Sequence, residues 1–195
     1  MKFRTVMRRS TVIIVILLAA VLIGYLCETV GKRLDLKRHP RSYAEYVEKY
    51  AAEYGVPEYT LYGVMAAESD FQSNFVSEDG RIGLMQLDKD SYYRVAEILH
   101  ETAEAGILYD PDTNIRFGAY LLSTLYAAYG GRWRPAYIAF EAGREQAEIW
   151  AADAQYLDEY GNLTKTPDEG LNAKIDEIEK NVETYRSLYY GGANS

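Results

Sequence analysis

The chain has 195 residues and a formal charge of −8 at neutral pH, and that charge is divided unevenly. Residues 1–41 hold 9 Lys and Arg against 2 acidic residues, whereas residues 42–195 hold 12 against 27; a phosphate backbone repels so acidic a surface, which excludes nucleic acid as a partner. The single cysteine, Cys27, excludes an intrachain disulfide and any multi-cysteine metal site, so the fold depends on its core.

The predicted elements begin with a basic flank, residues 1–10, which carries Lys2, Arg4, Arg8 and Arg9. From Thr11 to Cys27 no residue is charged, and at about 1.5 Å per residue this stretch spans about 26 Å against a hydrocarbon core of about 30 Å. The expectation is a single transmembrane anchor over residues 11–27 in the cytoplasmic membrane, with the flank inside and the rest of the chain outside. Lys32, Arg33, Lys37 and Arg38 on the far side weaken the charge bias. The alternative is a cleaved secretory signal, whose small-residue site could only be Ala19 and Ala20, inside the apolar run. Cys27 is disfavoured as a lipidated residue because bulky Leu26 stands where the processing signal wants Gly or Ala. A basic linker over residues 28–41 follows, and Pro40 keeps it from continuing as a helix.

Residues 42–190 read as one all-α domain. Ser42 and Glu45 form a capping-box pattern, and Tyr46, Val47, Tyr50, Ala51 and Tyr54 mark a helical face that ends at Gly55. Pro57 suits the first position of the next helix, where Leu61, Val64 and Met65 recur at helical spacing and Glu68 falls on the same stripe. Val95, Ile98 and Leu99 predict a helix after Asp90. Ile115, Leu121, Leu122 and Leu125 predict a longer one after Asp112, closed by Gly130 and Gly131. Pro135 to Phe140 is apolar nearly all round, as in a helix buried mid-domain. Leu171, Ile175, Ile178, Val182 and Tyr185 define the last helix, residues 191–195 form a loose tail, and no segment alternates at period two.

A carboxylate on an apolar stripe is either an edge residue reaching solvent or a desolvated acid. Glu68-Ser69 is followed by Gly83-Leu84-Met85-Gln86-Leu87, then Asp110-Pro111, Asn114-Ile115 and Gly118-Ala119-Tyr120-Leu121. These motifs, in this order, resemble the lytic transglycosylase catalytic domain, related in fold to goose-type lysozyme, over about residues 43–150. The resemblance implies a lysozyme-like helical fold, peptidoglycan glycan strands as substrate, and no metal or organic cofactor. It also implies Glu68 as the catalytic acid/base, with Ser69, Met85, Gln86, Phe140 and Glu141 as substrate-binding residues. Gln86 would hydrogen-bond sugar substituents, Met85 would pack against a ring, and Ser69 would orient Glu68 or the substrate.

The expected Ala-Tyr-Asn-Ala-Gly segment appears here as Ala139-Phe140-Glu141-Ala142-Gly143, which loses a phenol and gains a carboxylate. Protonating a glycosidic oxygen requires an acid that stays protonated near neutral pH, whereas a solvated Glu has a pKa of about 4.3. Desolvation on an apolar helix face raises it to about 6, as it does for the catalytic acid of lysozyme. Phe140 in place of tyrosine would push the same way. In the family a single Glu serves first as acid and then as base, while the muramic acid C6 hydroxyl closes onto the anomeric carbon to leave a 1,6-anhydro end. Glu141 would tilt this toward hydrolysis if it lay across the bond, at roughly 6.5–9.5 Å from Glu68. Otherwise it takes the asparagine's place on a sugar or sits at the cleft rim.

Other candidates carry less. His39 and His100 have no second ligand at metal spacing, and Trp133 and Trp150 could stack on sugar, although a Trp in a helical domain is usually core. The acidic run Asp153 to Glu169 reads as a solvated loop that could border a cleft. Two alternatives remain beside the transglycosylase: a glycan-binding scaffold that has lost turnover, and a hydrolytic muramidase using Glu68 and Glu141. A protein partner in the cell envelope is an expectation without an identity.

Overall fold

The computed structural model describes residues 2–101, 104 and 106–191, and the expected tail beyond Gly191 lies outside them. The chain forms two compact units, residues 1–40 and 41–195.

The first unit is one helix, α1 (Lys2–Arg38). Its segment Val12–Arg38 is long and apolar enough to cross a membrane by length and composition, and its apolar side chains from Val12 to Leu26 are exposed. Residues 28–38, expected as a linker, continue the helix because nothing before Pro40 interrupts it. The His39 amide closes the last turn on the Asp35 carbonyl at 2.9 Å, and the helix stops ahead of Pro40, whose ring disfavours helical geometry in the residue before it.

The second unit is all-α, as expected: α2 (Ala44–Tyr54), α3 (Glu58–Ser69), α4 (Lys89–Ile98), α5 (Pro111–Ala128), α6 (Trp133–Ala142), α7 (Arg144–Ala151) and α8 (Glu169–Tyr185). The described residues contain no strand, only isolated bridges such as Ile82 with Leu87 and Leu157 with Leu163. Several helix starts differ from the sequence reading, because capping side chains rather than apolar periodicity set them. Asp88, not Asp90, caps α4 by accepting the Ser91 amide at 2.8 Å. Asp110, not Asp112, caps α5 through the Thr113 amide at 3.0 Å. The Ser42–Glu45 capping box does not form: Tyr43 stands at the N-terminus of α2 in a left-handed conformation without a side-chain cap. Pro57 sits one residue before α3.

Helix α6 is buried from Pro135 to Glu141, as its all-round apolarity predicts. It packs between α5 and α8, and α3 packs along α8. That last contact is close because Gly63 has no side chain: a Cβ there would lie 2.6 Å from the Val182 amide nitrogen. Helix α7 escaped the sequence reading, since its short run buries only Ala147. The acidic run is not wholly solvated, for Leu163 and Thr166 are buried and Arg134 binds the Thr164 carbonyl. The unit begins at Arg41, whose guanidinium lies 3.1 Å from both Glu48 and Glu58 and within 6 Å of the rings of Tyr62, Tyr189 and Tyr190.

Candidate active site

Helix α3 ends abruptly after Glu68 and Ser69. Asp70 and Phe71 both adopt left-handed backbone (φ 47° and 62°), a conformation that is costly for residues with a Cβ and turns the chain sharply. The turn leads into the loop before α4, whose segment Gly83–Leu87 folds back beside the end of α3. Ile82 and Leu87 exchange amide and carbonyl at 3.1 Å in both directions, and the Ser69 hydroxyl reaches the Leu84 carbonyl at 2.8 Å.

The loop is pinned from below by Asn114 in the first turn of α5. Its Oδ1 accepts the Met85 amide at 2.8 Å, and its Nδ2 donates to the Leu108 carbonyl at 2.9 Å and the Ile82 carbonyl at 3.0 Å. Gly83 lies so close that a Cβ there would sit 2.5 Å from the Leu108 carbonyl oxygen. These contacts explain why Gly83 and Asn114 accompany one another in the motif.

Glu68 is 8% exposed, and three charged groups face it from three elements. Lys174 on α8 places Nζ 3.2 Å from Glu68 Oε1, and the same ammonium donates to the Ala67 carbonyl. Glu141 at the end of α6 is near enough for its charge to act on the Glu68 carboxyl. Arg81, from the loop, holds Glu141 Oε2 at 3.0 Å and donates to the Glu141 carbonyl as well. Burial, and then the neighbouring Glu141 charge, push the Glu68 carboxyl up to about 8, with Lys174 opposing. Burial also raises Glu141, opposed by Arg81 and Lys174. Glu68 Oε1 and Glu141 Oε1 are both buried without an aligned donor.

This geometry corrects several sequence expectations. Glu141, expected on a sugar or at the cleft rim, is buried, and Arg81 holds its Oε2 at 3.0 Å. Met85 is fully buried and lies under Gly118, where a Cβ would come within 2.8 Å of Met85 Cε; it is core and not a groove wall. Ser69 spends its hydroxyl on the Met65 and Leu84 carbonyls, which makes it a strut between α3 and the loop. Gln86 donates through Nε2 to the Gly83 and Phe75 carbonyls at 2.7 and 3.2 Å, so its amide nitrogen shapes the loop, while its Oε1 is buried without a partner. Phe140 is buried beside Glu141 on α6 and supplies hydrocarbon without a hydroxyl.

Three residues of the site were missed. Lys174 had a signal of the same kind as Glu68, a charge on an apolar stripe, three residues after Leu171 and four before Ile178. Arg81 is the one basic residue between Asp70 and Asp88. Asn114 stood in a recognised motif without an assigned task.

Comparison with known proteins gives concordant results. The family described as Transglycosylase SLT domain matches residues 45–161. Proteins named membrane-bound lytic murein transglycosylase C from Yersinia pestis (strain Pestoides F) and Yersinia pseudotuberculosis (serotype O:1b) are 33% identical over 107 residues, 53% of this chain. The chain spans only 29% of the length of those relatives. The fold matches the 70 kDa soluble lytic transglycosylase of Escherichia coli with a TM-score of 0.72 at 21% identity, over 80% of this chain and 26% of that one. It also matches an inactive mutant of lytic transglycosylase Slt from Pseudomonas aeruginosa, with a TM-score of 0.69 at 23% identity, over 77% and 25% of the two chains.

Proposed function

The chain belongs to the transglycosylase SLT domain family, and from that premise we propose that it cleaves peptidoglycan glycan strands between N-acetylmuramic acid and N-acetylglucosamine, leaving 1,6-anhydromuramic ends. Glu68 delivers its proton to the glycosidic oxygen, which departs as a hydroxyl. The resulting Glu68 carboxylate takes the proton of the muramic C6 hydroxyl as that oxygen bonds to the anomeric carbon. Proton and electron pairs balance, Glu68 ends as it began, and no water is consumed. The observation that carries this reading is the burial of Glu68 on the end of α3, which keeps it protonated up to about pH 8 and so able to act as an acid at neutral pH.

The ion pair of Arg81 with Glu141 at 3.0 Å favours the anhydro product over hydrolysis, because a guanidinium partner lowers the basicity with which that carboxylate could activate water. The apolar segment of α1 supports anchoring in the cytoplasmic membrane through residues 11–27, with residues 1–10 inside and the catalytic unit outside. So placed, the enzyme would cut the wall near the membrane for local remodelling, alone or with a cell-envelope partner.

The test is digestion of purified peptidoglycan by the full-length chain in detergent micelles, beside Glu68→Gln, with mass spectrometry of the released fragments. Anhydro-muropeptides that disappear with Glu68→Gln are expected. Reducing ends would instead assign a muramidase, and glycan binding without any product would assign a scaffold.

A further inference from the structure

A group that must first give up a proton and then recover one needs both of its charge states to be accessible. Around Glu68 the fold supplies neighbours of opposite sign on separate elements. Lys174, from α8, lies 3.2 Å from Glu68 Oε1 and is tethered to the end of α3 through the Ala67 carbonyl. Glu141, from α6, is near enough for its charge to act on Glu68 and is itself fixed by Arg81, at 3.0 Å to Oε2 and through its own carbonyl. The charged groups that act on Glu68 include Glu141, Lys174 and Arg81.

We propose, on the reading that Glu68 is the acid of the reaction, that Lys174 and Glu141 are opposing positioning residues: the Lys174 ammonium steadies the Glu68 carboxylate left by proton delivery, and the Arg81-clamped Glu141 carboxylate drives the return of the proton. During the first half of the reaction the proton passes from Glu68 to the leaving oxygen, and the new negative charge sits beside Lys174. In the second half, repulsion from Glu141 makes Glu68 a stronger base toward the C6 hydroxyl. Glu141 and Lys174 exchange no proton with substrate, and Arg81 acts only through Glu141.

The experiment is an infrared titration of the full-length chain in detergent micelles, labelled with carbon-13 glutamate. The protonated carboxyl band of Glu68 is identified by its absence from Glu68→Gln. In Glu141→Gln the pH at which that band disappears is expected to fall by about one pH unit, and in Lys174→Met to rise by a similar amount, since one nearby charge shifts a carboxyl by that order. Lys174→Arg should restore the wild-type position. Loss of stability without any displacement of the titration, or displacement of both variants in the same direction, would overturn the proposal. Circular dichroism verifies folding, and Lys174→Gln supplies the same neutralisation if Lys174→Met does not fold. The titration requires no turnover, so a chain inactive on peptidoglycan would overturn the proposed reaction while the opposing shifts still decided the roles of Lys174 and Glu141.

Discussion

Asn114 Oδ1 accepts the Met85 amide at 2.8 Å, while Nδ2 of the same side chain binds the Leu108 and Ile82 carbonyls. One side chain thus satisfies three backbone groups in two neighbouring segments. Asn114→Ala would strand the buried Met85 N–H and the Leu108 carbonyl, at about 1 kcal/mol or more each, while the Ile82 carbonyl keeps the Leu87 amide. The expected loss in urea unfolding is about 2 kcal/mol. Asn114→Asp keeps only the acceptor and should lose most of that; an Asn114→Ala chain as stable as wild type would remove Asn114 as the anchor of the Gly83–Leu87 loop.

Gly63 is where α3 meets α8. Alanine there gains about 1 kcal/mol of helix propensity, but its Cβ would lie 2.6 and 2.7 Å from the Val182 amide nitrogen and Cα. The obstacle is backbone and cannot swing aside, and overpacking of this kind costs about 1–3 kcal/mol. Gly63→Ala should therefore destabilise by up to about 2 kcal/mol net in thermal or urea unfolding. A more stable Gly63→Ala chain would mean that the two helices are not in close contact.

Arg81 and Glu141 form the most buried ion pair of the site, with side chains 19% and 8% exposed. Removing one partner of such a pair leaves the other charge uncompensated, at about 3 kcal/mol or more. Arg81→Met is expected to cost that much, and Arg81→Met combined with Glu141→Gln to recover over half of it. Additive losses in this double-mutant cycle would show that the two side chains are not coupled.

Glu68 has an ordinary value of 4.5 and is raised to about 8 in the fold. Between those pH values the unfolded chain carries an ionised Glu68 and the folded chain a protonated one, so the folded state binds the extra proton and stability falls as pH rises. Glu68→Gln is neutral in both states and escapes this loss. The variant should match wild type near pH 4 and exceed it by about 4 kcal/mol at pH 8, because each pKa unit corresponds to about 1.4 kcal/mol and the raised value already contains the opposing effect of Lys174. Parallel pH–stability curves for the two proteins would contradict the raised value.

The helical class, the buried α6 and the placement of Glu68 on an apolar stripe were all legible in sequence, because they rest on local periodicity and apolar content. The starts of α4 and α5 were misplaced by two residues, since Asp88 and Asp110 compete with nearby Asp90 and Asp112 and only the backbone geometry shows which carboxylate reaches an amide. The motif predicts Met85 packed against a sugar ring and Ser69 orienting Glu68 or the substrate. The structure turns Met85 into the core and Ser69 onto two carbonyls, a direction that spacing along the chain does not carry.

What the sequence by itself determined is the membrane-compatible apolar helix, the all-α unit and the family motifs that single out Glu68, for each is written within a few turns of chain. What only the tertiary structure decided is the charge state of that acid. Lys174 lies 106 residues after Glu68, Glu141 lies 73 after it and Arg81 comes from the loop between α3 and α4; packing of α3, α6 and α8 brings their charges together. Electrostatic interaction depends on distance and burial in space, and neither is encoded in any local stretch of residues.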